Sequence, residues 1–337
     1  MGPLNLFFDF RDLFRSPRLA LSGKKIWVFT IGNLSGYIVY WLFSHFSLLL
    51  SGKSVESSLS KYGLYPCLFG NQAEWYSWLV YFTGILAWFT FILLSSTAVS
   101  RITLKQLKGN DFFSSGNAWS FALENWKGVI LSPITITFII LFFIFFAGIF
   151  SLISSIPYIG KFLFSVPYII YFFGATFTIY TFFVFCVSAI YAPSIVGVYE
   201  EDTMGTVFHS YSITIGHPWR IILYHLLILP IIILSVEIFS WFVMSSVGFI
   251  NLIFGHEWFM GNQINNMVNY ASGIVFPNWI FDTIVSFRNI IGGIFDIHYY
   301  FKPLFANSLL PQTNEVTSIA SLPAGILSIS YFIIGLS

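Results

Sequence analysis

Residues His209-Ser210-Tyr211-Ser212-Ile213-Thr214-Ile215-Gly216-His217-Pro218-Trp219-Arg220 stand between two strongly apolar runs. Gly216 and Pro218 punctuate the stretch, so a helix is expected to stop there and another to start. Trp219 and Arg220 then mark a return to the bilayer, because an indole and a cation both settle at headgroup level. Just upstream, Met204, Val207, Phe208 and Tyr211 fall at i, i+3, i+4 and i+7. That period predicts a short amphipathic helix on the membrane face. Glu200, Glu201 and Asp202 precede it, where acids satisfy free N–H groups and the positive end of the helix dipole. With His209 the three acids could also be read as a cation site, but the helix-start account is simpler.

The whole chain fits this reading. Of 337 residues, 57% are hydrophobic and 9% charged, against about 25% charged in a soluble domain. An all-α polytopic membrane protein is therefore expected. The formal net charge is +1 with no basic tail, which excludes nucleic acid as a partner. Cys67 and Cys186 make neither a disulfide framework nor a zinc set. Asp9, Arg11, Asp12 and Arg15 interrupt any apolar core of a cleavable signal.

Working outward, about 20 apolar residues are needed per crossing. Six spans meet that need: Ile26 to about Leu50, Trp78 to Val99, Gly128 to about Ile156, Phe162 to Val198, Ile221 to Phe254, and Val316 to Ser337. The second is expected to end at Arg101. The fourth is over-long, so it is expected to tilt, to kink near Pro167 or to project into the aqueous layer. Interfacial helices are expected over Leu4 to Arg18, about Asn117 to Asn125, and Met204 to Tyr211. Residues 255–315 are expected to form an outer insertion, with one more interfacial or re-entrant helix over Val275 to Asp296.

Trp27, Trp126 and Trp219 are spaced by 99 and 93 residues, and each lies beside a cation: Lys25, Lys127 or Arg220. Each follows an interfacial helix and opens a pair of spans. The chain therefore reads as one membrane domain, 1–337, in three parallel repeats of about 4–100, 101–198 and 199–337. Trp27, Trp126, Lys127, Trp219 and Arg220 are the interfacial anchors. One side carries Arg11, Arg15, Arg18, Lys24, Lys25, Arg101, Lys105, Lys108, Lys127 and Arg220. The other carries Lys53, Lys61, Lys161, Arg288 and Lys302. That bias places both termini in the cytoplasm.

At the elbow the sequence resembles a broad bacterial group of six-span membrane proteins. The group includes the membrane domain attached to some glycerophosphodiester phosphodiesterases. Pro193, Ile195 and Val196, then Ser210, Tyr211, Ile213, Thr214, Gly216, Trp219 and Arg220, carry the likeness. The chain departs from the group's pattern in lacking Ala-Leu before Ser210 and in its long insertion. The resemblance implies a fold in a bacterial cytoplasmic membrane, and it transfers no catalytic residue.

Glu237 is the one acid in the middle of a span, where a charge costs on the order of 3 kcal/mol. It is the candidate intramembrane functional residue, as a proton or substrate site, or else a neutral acid bonded to neighbouring hydroxyls, or an acid near the outer interface because the run is over-long. His45 and His225 sit at different depths, so a bis-histidine cofactor is not expected. Phosphate-cradling loops, nucleophile elbows and zinc-protease pairs are missing. No catalytic activity and no cofactor are expected. The expectation is a membrane subunit or scaffold that packs against lipids and other membrane proteins. The alternative is a transporter or lipid-handling protein with a cavity near Glu237.

Overall fold

The computed structural model describes residues 10–54, 57–58, 62, 64–69, 72–156, 159–275, 326–330 and 332–333. Among them there is no strand, and five helices are long and apolar enough to cross a bilayer. A 3-10 turn over Phe10–Arg15 and α1, Ser16–Ala20, lead into α2, Gly23–Leu50. Then come α3, Trp75–Leu107, the short α4, Ser115–Glu124, and α5, Trp126–Ser154. The seven-residue α6, Ile159–Ser165, precedes α7, Tyr168–Tyr199. The elbow helix α8, Thr203–Gly216, is followed by α9, Pro218–Phe254, and α10, Asn262–Val275. The candidate spans are α2, α3, α5, α7 and α9. The stretch Pro157-Tyr158, the helix expected after Val275, and most of the sixth span fall outside the described residues.

Local chemistry sets these boundaries. Ser114 caps α4 by accepting from the Asn117 N–H at 3.1 Å, and Asp202 caps α8 by accepting from the Gly205 N–H at 2.8 Å. Of the three possibilities for the over-long fourth run, a break at the proline is seen, since Pro167 forms the N-cap of α7 after α6 has ended at Ser165. Pro133, Pro193 and Pro230 lie inside α5, α7 and α9, as membrane helices tolerate. The second span differs from expectation. It runs to Leu107, with Arg101 inside the helix and only 8% exposed. The helix can continue because the fold itself answers the charge of Arg101.

The chain divides into two compact units, Met1–Gly32 with Thr90–Leu227, and Asn33–Phe89 with Ile228–Ser337. Helices α2, α3 and α9 contribute residues to both. In the first unit, α5, α7 and α8 pack together around Ile136, Val184 and Val207. Val28, Ala98, Ile102, Ala118 and Ala122 form a second small core under α4. In the second unit, Tyr37, Tyr40, Leu48, Leu68 and Tyr81 pack with Val247, Ile264, Val268, Ala271 and Phe332. The three contributions of α10 follow a helical period: Ile264, Val268 and Ala271 are all buried. Part of the expected outer insertion is thus a helix with its own packed face.

Candidate functional site

The elbow helix α8 buries a face that the apolar period does not mark. Of the expected stripe, Val207 is buried and Tyr211 half-buried, whereas Met204 is 57% and Phe208 70% exposed. Thr206 and Ser210 are fully buried instead. Their hydroxyls donate back to the carbonyls of Asp202 and Thr206, at 2.8 and 2.9 Å. A hydroxyl satisfied by its own helix is compact and apolar towards its neighbours, so α8 can lie close to α5 and α7. The Tyr211 hydroxyl donates to Thr181 Oγ1 at 3.3 Å, and the Tyr180 hydroxyl donates to the Tyr211 carbonyl at 3.4 Å.

The acids before α8 take three different partners. Asp202 is the cap described above. Glu201 Oε1 accepts from His209 Nε2 at 3.3 Å, and the imidazole stacks on Tyr199 with centroids 4.9 Å apart and planes 10° apart. Glu200 pairs with Arg101: Nη2 to Oε1 is 2.6 Å. Arg101 Nη1 also donates to the Gly197 carbonyl at 3.4 Å, and the guanidinium lies 4.2 Å from the centroid of the Phe121 ring. One cation thus joins α3, α4 and the end of α7. Two backbone features make the junction possible. A Cβ on Gly197 would lie 2.8 Å from the Ser100 Cβ, so only glycine lets α7 come this close to α3. Glu200 adopts φ 61° and ψ 31°, a left-handed turn that costs an L-residue about 1–2 kcal/mol. Among the described residues no other non-glycine has positive φ.

The cations at the start of α2 are structural as well. Lys24 Nζ donates to the carbonyls of Asp111 and Phe113 at 3.2 and 3.0 Å. Lys25 is 3% exposed, with Nζ 2.7 Å from the Leu19 carbonyl. Trp27, Trp126 and Trp219 open α2, α5 and α9 and are 62%, 41% and 79% exposed. Lys127 and Arg220 follow their tryptophans and are exposed. These tryptophans and cations, the expected anchors, all belong to the first unit.

In the second unit, tyrosines sew a loop to the helices. The Tyr37 hydroxyl donates to the Leu64 carbonyl, Tyr40 to the Pro66 carbonyl at 2.5 Å, and Tyr81 to Cys67 Sγ at 3.7 Å. Tyr40 lies ten residues before the end of α2, about 15 Å along the axis at 1.5 Å per residue. The segment Leu64 to Leu68 therefore folds back along the helices, and Leu68 is fully buried. Trp88 Nε1 donates to Asn33 Oδ1 at 2.8 Å, and Tyr37 packs on Phe332 with centroids 4.4 Å apart. His45 Nδ1 donates to the Trp41 carbonyl at 3.1 Å, with its ring stacked on Trp41 at 4.2 Å. Nothing in the period of the sequence marks this loop as packed; the signal is in the tyrosines Tyr37, Tyr40 and Tyr81, which a buried environment obliges to find partners.

Glu237 belongs to the second unit, on α9, partly buried and 19 residues past Pro218. His225 Nδ1 donates to the Ile221 carbonyl at 2.8 Å. Among the described residues no three His, Cys, Asp or Glu side chains group to hold a metal ion. What the junctions do chemically is hold helices, and Arg101 is the most committed group. No family model, curated protein or solved structure matches the chain.

Proposed function

We propose that the chain is a non-catalytic integral membrane subunit or scaffold, packing against lipids and other membrane proteins. One observation carries the reading. The strongest polar groups of the described spans and loops, Arg101, Glu200, Tyr37 and Tyr40, are spent on internal bonds. The long helices meanwhile turn apolar surface outward. In the most apolar stretches of α5 and α9, 6% and 0% of residues are buried. Faces of that kind are covered in the bilayer by acyl chains or by neighbouring helices. The arrangement is read as six spans in three parallel repeats, in a bacterial cytoplasmic membrane, with both termini inside. The likeness of residues 193–220 to the six-span bacterial group supports that fold. Extraction into native nanodiscs followed by mass spectrometry tests the function. Stoichiometric partner subunits are expected, and a lone chain would overturn the scaffold.

Glu237 supports a second reading, transport or lipid handling, since an acid deep in an apolar helix marks a functional site by default. Glu237→Gln should then abolish flux in reconstituted vesicles while expression and assembly persist. Lost assembly with normal flux in the remainder would make Glu237 structural.

A further inference from the structure

Helices α5 and α7 meet at Ile136 and Val184, both fully buried, and farther along through ring contacts of Phe143 with Phe177 and Phe150 with Tyr171. Beside these contacts lies a groove of about 980 Å³, lined from Phe142 to Ser154 on α5 and from Phe164 to Ile179 on α6 and α7. That volume is in the upper range of small-molecule sites. Ala147, Ser151, Gly174 and Ala175 keep the walls low, and a Cβ on Gly174 would meet nothing within 4 Å. Phenylalanines make the sides, with Phe150 and Phe164 both in ring contact with Tyr171. The twelve steps from Phe142 to Ser154 span about 18 Å, close to half of a hydrocarbon core of about 30 Å. The groove therefore has the depth of one leaflet.

Between Lys127 and Glu200 the sequence holds a single ionisable Asp, Glu, Lys or Arg, and that is Lys161. Lys161 is exposed and precedes Phe164, which lines the groove, by three residues on α6. Positions i and i+3 share a helix face, so Lys161 lies on the face of α6 that carries Phe164, a lining residue of the slot.

We propose that this groove is a binding site for one anionic phospholipid, with an acyl chain in the slot and the phosphate beside Lys161. A zwitterionic lipid offers the same chain but a weaker headgroup contact, so selectivity resides in Lys161. The proposal rests on the bilayer-spanning part of the function above and does not need the partner subunits.

The test uses the full chain in nanodiscs of phosphatidylethanolamine with a minority of phosphatidylglycerol, released into native mass spectrometry. The wild type should retain one phosphatidylglycerol. Lys161→Gln, a change on an exposed side chain, should lower that retention about fivefold, the size of one lysine contact to an anionic headgroup. Gly174→Phe fills the slot and should abolish retention of either lipid. Equal retention in all three proteins, equal retention of both lipids by the wild type, or a second copy of the chain protected at Phe146 and Phe150 would each overturn the site. Partner subunits that co-purify without lipid would sink the groove proposal alone and leave the scaffold standing.

Discussion

At the scale of single residues, Arg101 has the largest energetic leverage. A cation that is 8% exposed must be answered, and its principal partner, Glu200, has a side chain that is 56% exposed. A hydrogen bond to a charged group is worth about 1.5–3 kcal/mol. Arg101→Gln should therefore lower the thermal midpoint in detergent by several degrees. Arg101→Gln with Glu200→Gln should cost less than the two singles added, because neighbours that share a bond are not independent. Strict additivity in that cycle would mean that the pair contributes nothing. Glu200 also carries the left-handed turn, so Glu200→Gly should be milder than Glu200→Ala by about 1 kcal/mol. Tyr65, in the loop, supplies a second test. Burial pushes its phenol up to about 12 from the usual 10. A group that holds its proton more tightly when folded stabilises the fold below the unfolded value and loses that contribution as pH rises through the folded one. The stability of the second unit should thus decline between pH 10 and about 12. Tyr65→Phe should flatten part of that decline in a pH series of melting midpoints.

At the scale of elements, period and punctuation were informative where helices meet lipid, and weak where helices meet each other. The elbow was legible because Gly216, Pro218 and Trp219 act locally, and α8 does end at Gly216. The packed face of α8 was not, because Thr206 and Ser210 read as polar until their hydroxyls are seen to bond within the helix. The reach of α3 to Leu107 was hidden for a related reason, since a charge reads as a helix end unless its distant partner is known. The folded-back loop was missed because its bonds join residues 26 and 27 positions apart. That loop makes a prediction at its own scale. Tyr40→Phe leaves the Pro66 carbonyl without its donor, and a buried unpaired group costs about 1–3 kcal/mol. The loop should open more often, and Cys67, half-buried beside Tyr81, should react faster with a maleimide. The measurement needs a Cys186→Ser background, since Cys186 is exposed. Unchanged Cys67 kinetics would mean that packing of Leu68 alone holds the loop.

At the scale of the whole molecule, composition alone was decisive for class: 9% charged residues and long apolar runs led to helices that fit a bilayer, and five such helices are present among the described residues. The proposed three-fold repeat rests on Trp27, Trp126 and Trp219, each of which opens a candidate span and is exposed. Parallel repeats make a strict demand on sidedness that inverted repeats do not share. If each unit is an interfacial helix followed by two crossings, the links before α5 and before α9 must lie on one side. The links after α2 and after α5 must lie on the other. Asn110, His217, Lys53 and Ser155 are exposed reporters of those four links. Single cysteines placed at each, with Cys67 and Cys186 replaced, can be probed with a membrane-impermeant maleimide in intact and permeabilised cells. Lys53→Cys and Ser155→Cys should label in intact cells, and Asn110→Cys and His217→Cys only after permeabilisation. The positive charge near Asn110, from Arg101, Lys105 and Lys108, predicts that direction over its mirror image. Labelling of Asn110→Cys and His217→Cys from opposite sides would dissolve the parallel repeat, because an odd number of crossings would then separate two equivalent elbows.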